Sequence, residues 1–133
     1  EFETEIKDSS NKYKIRGKID RIDKINGELR VIDYKSGKKL NRRNLTVKDK
    51  EDIKKEKGVY NLQLLIYMLG IEKELKDKKI KSGIINLKNI SDGVLEGVFN
   101  GKTSFDRNEL KNYKVLIIEL ITRILDKNLM FKN

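Results

Sequence analysis

The sequence predicts a mixed α/β fold with the element order β-β-β-α-β-β-α. An Asn-Gly turn inside residues 17–37 joins two segments of alternating apolar and polar residues, which predicts a β-hairpin. A nearly all-apolar helix at residues 58–76 stands between predicted strands, as in a crossover connection. With 133 residues and 37% hydrophobic content, residues 1–133 are expected to form a single domain.

The first strands are predicted from side-chain alternation. Residues 1–8 alternate as a strand, residues 8–11 form a turn, and residues 12–25 form a long second strand. With residues 28–35 as the third strand, three antiparallel strands in a row would form the core of the sheet. Because the chain begins inside a strand and without Met, we expect a fragment of a larger chain.

The Asn26-Gly27 turn sets the register of the hairpin, because a two-residue turn pairs residues whose numbers sum to 53. The expected cross-strand pairs are Ile25 with Glu28, Asp23 with Arg30, Ile22 with Val31, and Asp20 with Asp33. Directly opposed carboxylates destabilise a sheet unless a cation neutralises them. The register therefore indicates a divalent metal site at Asp20 and Asp33.

The face of the third strand supports this interpretation. Side chains of Asp33 and Lys35 lie on one face, next to the apolar stripe of Leu29 and Val31. Alternatively, Asp33 and Lys35 only solvate a strand end, but Asp20 placed opposite favours the metal site. Asp23 lies on the opposite face, where Arg30 makes it a structural ion pair.

The connector at residues 36–57 has few apolar anchors and is rich in basic residues. As a functional element it would be a mobile loop or short helix that steers a phosphate backbone. As a structural element it would be a solvated connector, and the sequence leaves both open. The basic residues nearest the acidic pair are Lys38, Lys39, Arg42 and Arg43.

The helix at residues 58–76 is expected to be buried against the sheet. Gln63 and Tyr67 are polar exceptions, four residues apart and so on one face. A glutamine among leucines requires hydrogen-bond partners. Either the backbone satisfies it in the core, or it has a role in the site.

The rest of the chain predicts core elements. Residues 80–88 and 93–99 form two strands, the first pairing parallel after the helical crossover. Asp106 begins the last helix, with Glu109 completing a capping box and Phe105 with Leu110 a hydrophobic staple. Its apolar stripe consists of Leu110, Tyr113, Ile117, Leu120, Ile121 and Ile124.

Missing residue types limit the chemistry. The chain has no Cys and no His, which excludes disulfides, a thiol nucleophile, an imidazole base, and zinc or iron–sulfur centres that depend on them. Hydrolysis would rest on carboxylates, lysine and a hard cation such as Mg²⁺ or Mn²⁺. The net charge of +10 suits a polyanionic partner, although lysine-rich usage also follows from genome composition. No apolar run reaches membrane length, so a cytoplasmic protein is expected.

Three motifs carry a resemblance to a known family. G-K-I-D-R-I-D, V-I-D-Y-K-S-G and L-Q-L-L-I-Y, within residues 13–70, resemble the RecB/AddB-like nuclease domain of bacterial helicase–nucleases, a branch of the PD-(D/E)XK superfamily. The resemblance implies a restriction-endonuclease-like core. The first helix of the family core would lie before residue 1 and is absent from this chain.

The resemblance also implies roles for individual residues. In that family the first acid and the acid of D-x-K ligate Mg²⁺ or Mn²⁺, the intervening carbonyl adds a ligand, and the lysine serves the attacking water. These roles fall on Asp20, Asp33, the backbone oxygen of Tyr34, and Lys35. The Q-x-x-x-Y motif implies that Gln63 and Tyr67 line the site or the substrate path. Lys18 shares a face with Asp20, opposite Lys35, and is the expected phosphate contact.

The function implied is a metal-dependent DNA nuclease of exonuclease type, acting on single- or double-stranded DNA together with a helicase domain or subunit in DNA repair or recombination. Relatives often add a metal-binding His on the missing helix, and AddB-type members add four cysteines for an iron–sulfur cluster. Neither is present here, so the fragment is expected to lack the cluster. The alternatives are a non-catalytic nuclease-fold module that binds DNA or protein, and an interaction domain with an accidental D-Y-K.

Overall fold

The computed structural model describes residues 1–7, 12–37, 39–53 and 58–131, and the predicted turn at residues 8–11 lies outside them. These residues form nine strands and three α-helices, which confirms a mixed α/β fold. The strands are β1 (Phe2–Lys7), β2 (Lys12–Gly17), β3 (Arg21–Ile25), β4 (Glu28–Lys35), β5 (Thr46–Val47), β6 (Ile80–Asn86), β7 (Val94–Glu96), β8 (Val98–Phe99) and β9 (Ser104–Phe105). The helices are α1 (Lys50–Ile53), α2 (Val59–Gly70) and α3 (Arg107–Phe131).

The main sheet has the strand order β3-β4-β6-β7, and β9 also pairs with β6. β3 and β4 are antiparallel, joined at Asn26 and Gly27, whose φ angles of 52° and 79° are the positive values that a type I′ turn requires. The predicted register is confirmed from Ile25–Glu28 to Ile22–Val31. β4 and β6 run parallel, as expected for strands joined through a helical crossover.

The prediction of one long second strand at residues 12–25 is wrong. The chain leaves the strand conformation at residues 18–20, and β2 pairs with β1 in a separate two-stranded sheet. The three strands predicted in a row are therefore divided between two sheets. The break is stabilised locally, because Asp20 Oδ2 accepts the hydrogen bond from Tyr34 N that a continued strand would have accepted through its backbone.

α2 lies in the core, as its apolar sequence predicted, although it is shorter than residues 58–76. It ends at Gly70 and is followed by a 3₁₀ turn at Glu72–Glu74. It packs on β4, β6 and α3. The buried cluster at this face includes Val31, Leu65, Met68, Leu69, Ile80, Phe99, Phe105 and Ile117.

The described part of the connector after β4, residues 39–53, has more buried apolar residues than its sequence suggested. Lys38 and residues 54–57 lie outside the described residues. Leu40, Leu45, Val47 and Ile53 are all buried. A 3₁₀ turn at Arg42–Leu45 leads into β5, which pairs parallel with β8. The buried Asn61 amide joins both segments to α2, because Nδ2 donates to Leu45 O at 2.8 Å and to Val98 O at 3.1 Å.

The C-terminal part differs in detail from its prediction. The strand expected at residues 93–99 divides into β7 and β8, because Gly97 N donates to Ser82 O between them. The capping box of α3 is confirmed: Glu109 N donates to Asp106 Oδ1 at 2.8 Å, and Asp106 N donates to Glu109 Oε1 at 3.1 Å. Phe105 and Leu110 are buried in one cluster.

α3 packs against the end of α2 through charge as well as apolar contact. The buried Glu72 carboxylate pairs with Lys114 and, at 3.8 Å, with Arg107. The side chains of Ile121 and Ile124 lie outside the described residues. No helix in the described part of the chain has the length and apolar character needed to cross a membrane.

Candidate active site

Two acidic side chains from different segments meet just before the first residue of β3. Asp33 lies on β4 with only 5% of its surface exposed, and Asp20 lies in the break between β2 and β3. The two carboxyl groups lie close enough for each to shift the pKa of the other. The ladder of β3 and β4 ends at Arg21–Ile32, so Asp20 reaches Asp33 from an irregular segment and not as a strand partner.

The environments of the two acids favour opposite protonation states. Burial raises the pKa of Asp33, and the Asp20 charge raises it further against the opposing effect of Lys35. The hydrogen bond from Tyr34 N lowers the pKa of Asp20, with smaller contributions from Asp33, Lys35 and Lys18. Asp20 is therefore the ionised member of the pair, and Asp33 holds a proton more strongly than an ordinary aspartate.

The peptide group of Tyr34 faces the same space. Leu29 N donates to Lys79 O, and Leu87 N donates to Lys35 O, so the odd-numbered residues of β4 form the hydrogen bonds to β6. Because peptide groups alternate in direction along a strand, the N–H and C=O of Tyr34 point away from β6, to the side of β3. The ladder with β3 does not extend as far as Tyr34. The carbonyl predicted as a ligand is thus directed towards the side of Asp20.

Lys35, at the end of β4, is held by contacts from two elements. Its Nζ lies 2.8 Å from Asp33 Oδ2 and donates to Gln63 Oε1 at 2.9 Å. The ring of Tyr60 lies 6.0 Å from the ammonium group, within range of a cation–π interaction. The ammonium group is therefore fixed beside the acidic pair and still partly open to solvent.

Gln63 and Tyr67 both belong to this cluster. Gln63 Nε2 donates to Tyr67 OH at 2.8 Å while its Oε1 accepts from Lys35, so neither end of the amide lacks a partner. The Tyr67 ring meets the Phe2 ring edge-on at 6.0 Å. A hydrogen-bonded chain thus runs from the acidic pair through Lys35 and Gln63 to Tyr67.

Lys18 is not placed where the strand prediction put it. It is exposed in the break before β3 and is not opposite Lys35, because the ladder does not extend to residue 18. It nevertheless lies close enough to Asp20 to lower the pKa of that carboxyl group. It also lines an open depression of about 720 Å³ with Phe2 and Arg16.

The structure confirms the predicted role of Asp23 and adds two residues that were missed. Arg30 donates to both carboxylate oxygens of Asp23, at 3.0 and 2.9 Å, which makes a bidentate ion pair. Tyr60 was detectable, because it stands three residues before Gln63 and so shares its helix face. Phe2 reaches Tyr67 only through the packing of the β1–β2 sheet, and no local pattern signals that.

The acidic pair suits a divalent cation. Two neighbouring carboxylates repel one another when both are ionised, and a bound cation would offset that repulsion. Within the described ranges no cluster of three or more His, Cys, Asp or Glu side chains could hold a metal ion. The protein ligands would thus be two carboxylates and one carbonyl, a set typical of Mg²⁺, which keeps several waters and substrate phosphates.

Comparison with known proteins agrees with this arrangement. The family model described as the PD-(D/E)XK nuclease superfamily matches residues 1–132. A subunit of an ATP-dependent helicase/deoxyribonuclease from Clostridium novyi (strain NT) is 37% identical over 103 residues. That match covers 69% of this chain and 8% of the relative, so the chain spans a small part of its length. No solved structure matches the chain.

Proposed function

The chain belongs to the PD-(D/E)XK nuclease superfamily, and from this premise we propose that it is a Mg²⁺- or Mn²⁺-dependent deoxyribonuclease that hydrolyses phosphodiester bonds. The observation that supports the proposal best is the convergence of Asp20, Asp33 and Lys35 next to the first residue of β3. These side chains come from two separate segments, and the Gln63 amide from α2 holds the lysine in place.

The cation would be held by Asp20, Asp33 and the carbonyl of Tyr34. When bound, it supplies a Lewis acid for the phosphate and lowers the pKa of a coordinated water. A bound cation would favour the ionised form of Asp33 despite its raised pKa, because only ionised carboxylates ligate well. Asp20 is already ionised and provides the first attraction.

Lys35 provides the fixed positive charge. Its ammonium group is directed by Asp33 and Gln63, so it can donate to the attacking water or to a phosphate oxygen without reorganising. Charge that develops on the phosphate is stabilised most by groups that are already oriented. Gln63 and Tyr67 position this lysine from the substrate side, and Lys18 contacts a neighbouring phosphate.

The substrate and setting are the finer part of the proposal. We assign DNA as the substrate and exonuclease-type cleavage as the reaction. The domain would act with a helicase domain or subunit, in the cytoplasm, during DNA repair. The similarity to a subunit of an ATP-dependent helicase/deoxyribonuclease from Clostridium novyi supports DNA as the substrate and a helicase as the partner. Linear DNA should be degraded faster than covalently closed circles of the same sequence, and equal rates would contradict the exonuclease assignment.

Cleavage of linear single- and double-stranded DNA with Mg²⁺ or Mn²⁺ tests the central claim. We expect Asp20→Asn, Asp33→Ala and Lys35→Ala each to lose at least about 100-fold in rate, the usual effect of removing one charge-stabilising group. Asp23→Asn is the matched control, since Asp23 points to the other face and pairs with Arg30. Equal loss in the control would contradict the site.

A second candidate function is a nuclease-fold module that binds DNA without cutting. The small ligand set, with no cluster of three metal-ligating side chains in the described residues, favours it. Calorimetric titration with Mn²⁺ separates the two functions. Metal binding that Asp33→Ala abolishes supports the nuclease, and absence of metal binding together with retained DNA binding supports the module.

A further inference from the structure

A lysine-rimmed groove lies on the side of the domain formed by α1, β8 and the first turns of α3. Two adjoining depressions, of about 200 and 590 Å³, share Lys50, Phe99, Asn100 and Tyr113 as lining residues. We call them together the α3 groove. Its polar rim consists of Lys48, Lys50, Asn100, Lys102, Lys111 and Asn112.

The α3 groove is remote from the acidic pair. Phe105, which lines it, pairs with Ile80 at the first residue of β6, whereas Asp33 of the acidic pair pairs with Ile84. Four residues of β-strand at about 3.3 Å per residue separate the two positions by about 13 Å. The groove is therefore a separate surface at the opposite end of the main sheet.

The charge of the α3 groove is positive. Its two acidic lining residues are engaged locally: Asp49 Oδ1 accepts from Asp52 N, and Glu109 accepts from Asp106 N and pairs with Lys102. Lys48, Lys50 and Lys111 are exposed and form no ion pair with an acidic side chain among the described residues. Three cations thus remain available to an anionic ligand.

The floor of the groove indicates what part of a ligand is recognised. Phe99 and Phe105 are 1% and 2% exposed and pack edge-on against one another at 5.4 Å, so they offer no ring face for stacking a base. The Asn100 and Asn112 amides at the rim are suitable donors to phosphate oxygens. The chemistry suits a phosphate backbone.

We propose that the α3 groove binds the phosphate backbone of one nucleic-acid strand whose scissile phosphate lies at the acidic pair. This inference rests on the proposed function. At about 3.4 Å per phosphate along a strand, the separation of the two sites corresponds to about four phosphates. Strands longer than that span engage both sites.

The test uses Lys50→Gln/Lys111→Gln, with Lys14→Gln/Lys73→Gln as a control that removes the same charge from exposed positions outside the groove. Fluorescence anisotropy measures binding of a DNA strand of about 20 nucleotides in EDTA over a range of salt. With about 0.7 released counterions per neutralised phosphate, we expect the groove variant to lower the salt slope by about 1. The control variant should keep the wild-type slope.

Equal losses in groove and control variants would overturn the proposal, because net charge alone would then explain binding. No loss in the groove variant would overturn it as well. If the groove variant lost binding of a polyglutamate peptide and kept that of DNA, the groove would serve an acidic polypeptide. If the wild type binds no DNA strand, the proposed function itself is rejected. If the wild type cuts DNA and the groove variant binds DNA as the wild type does, only this inference is rejected.

Discussion

Gln63 of α2 accepts a hydrogen bond from Lys35 at the end of β4, at a distance of 2.9 Å and across 28 residues of sequence. The other end of the same amide donates to Tyr67 OH at 2.8 Å. Because the ammonium group only donates, Lys35 determines that Oε1 of Gln63 faces it, and Nε2 is thereby directed to the Tyr67 hydroxyl. The orientation of the ammonium group beside Asp33 thus depends on a helix that forms none of the metal ligands.

Tyr67→Phe should reduce DNA cleavage by about tenfold with little change in folding. Loss of the hydroxyl removes one hydrogen bond of about 1 kcal/mol that holds the Gln63 side chain against Lys35, and about 1.4 kcal/mol corresponds to tenfold in rate. The measurement is single-turnover cleavage alongside urea unfolding. Val59→Ala, on an exposed position of α2, is the control and should leave the rate unchanged.

Asp33→Asn should make the metal-free protein more stable at neutral pH while it abolishes cleavage. The raised pKa of Asp33 means that its favourable contribution is complete below the ordinary value of about 3.9 and is lost as the pH rises through the folded-state pKa. Asparagine stays neutral at every pH, so the unfolding free energy of the variant does not fall in this way as the pH rises. Urea unfolding in EDTA from about pH 4 to 7 measures both slopes, and parallel curves would contradict the assignment.

Gly70→Ala should destabilise the protein although alanine favours a helix by about 1 kcal/mol. A Cβ at Gly70 would lie 2.4 Å from the Phe2 ring, which would have to leave its edge contact with Tyr67. We expect a net loss of about 1 to 3 kcal/mol, as for other overpacked sites. Phe2→Ala/Gly70→Ala should lose less than the sum of the single variants, and additive losses would show that the two residues do not compete for space.

Asn61→Ala should cost about 2 to 4 kcal/mol in unfolding free energy. The substitution leaves the Leu45 and Val98 carbonyls without the donor that they share, and each unsatisfied buried group costs about 1 to 3 kcal/mol. Asn112→Ala, at an exposed position of α3, should change stability by less than about 1 kcal/mol. Similar losses in both variants would mean that Asn61 does not join the connector to β8.

Some features of the fold that depend on residues close together in sequence were predicted correctly. The Asn26-Gly27 turn fixes its own backbone geometry, and the register from Ile25 to Ile22 follows from it. The capping box of Asp106 and Glu109 is likewise a contact between near neighbours in sequence. Membership of the nuclease superfamily, expected from three short motifs, is confirmed by the family match.

Features that depend on distant contacts were predicted less well. The alternation changes after Ile19, because Ile19, Ile22 and Ile25 stand three residues apart, which is a local sign that one strand does not continue through residues 12–25. The Asp20–Tyr34 hydrogen bond that stabilises the break joins residues far apart in sequence and has no local sign. The predicted position of Lys18 is wrong for the same reason. The connector is polar when counted residue by residue, yet Leu45 and Val47 are buried because Asn61 and β8 supply partners from far along the sequence.

The division of the strands into two sheets has a consequence for local unfolding. No backbone ladder in the described chain links the β1–β2 hairpin to the main sheet, and it is held by side-chain contacts such as Phe2–Tyr67 and Tyr13 OH–Thr122 Oγ1. We expect amide protons of β1 and β2 to exchange with deuterium through a partial opening that leaves β4 and β6 protected. Because Asp20 follows β2 closely, each such opening would free the first carboxylate of the pair while the second stays in the folded core.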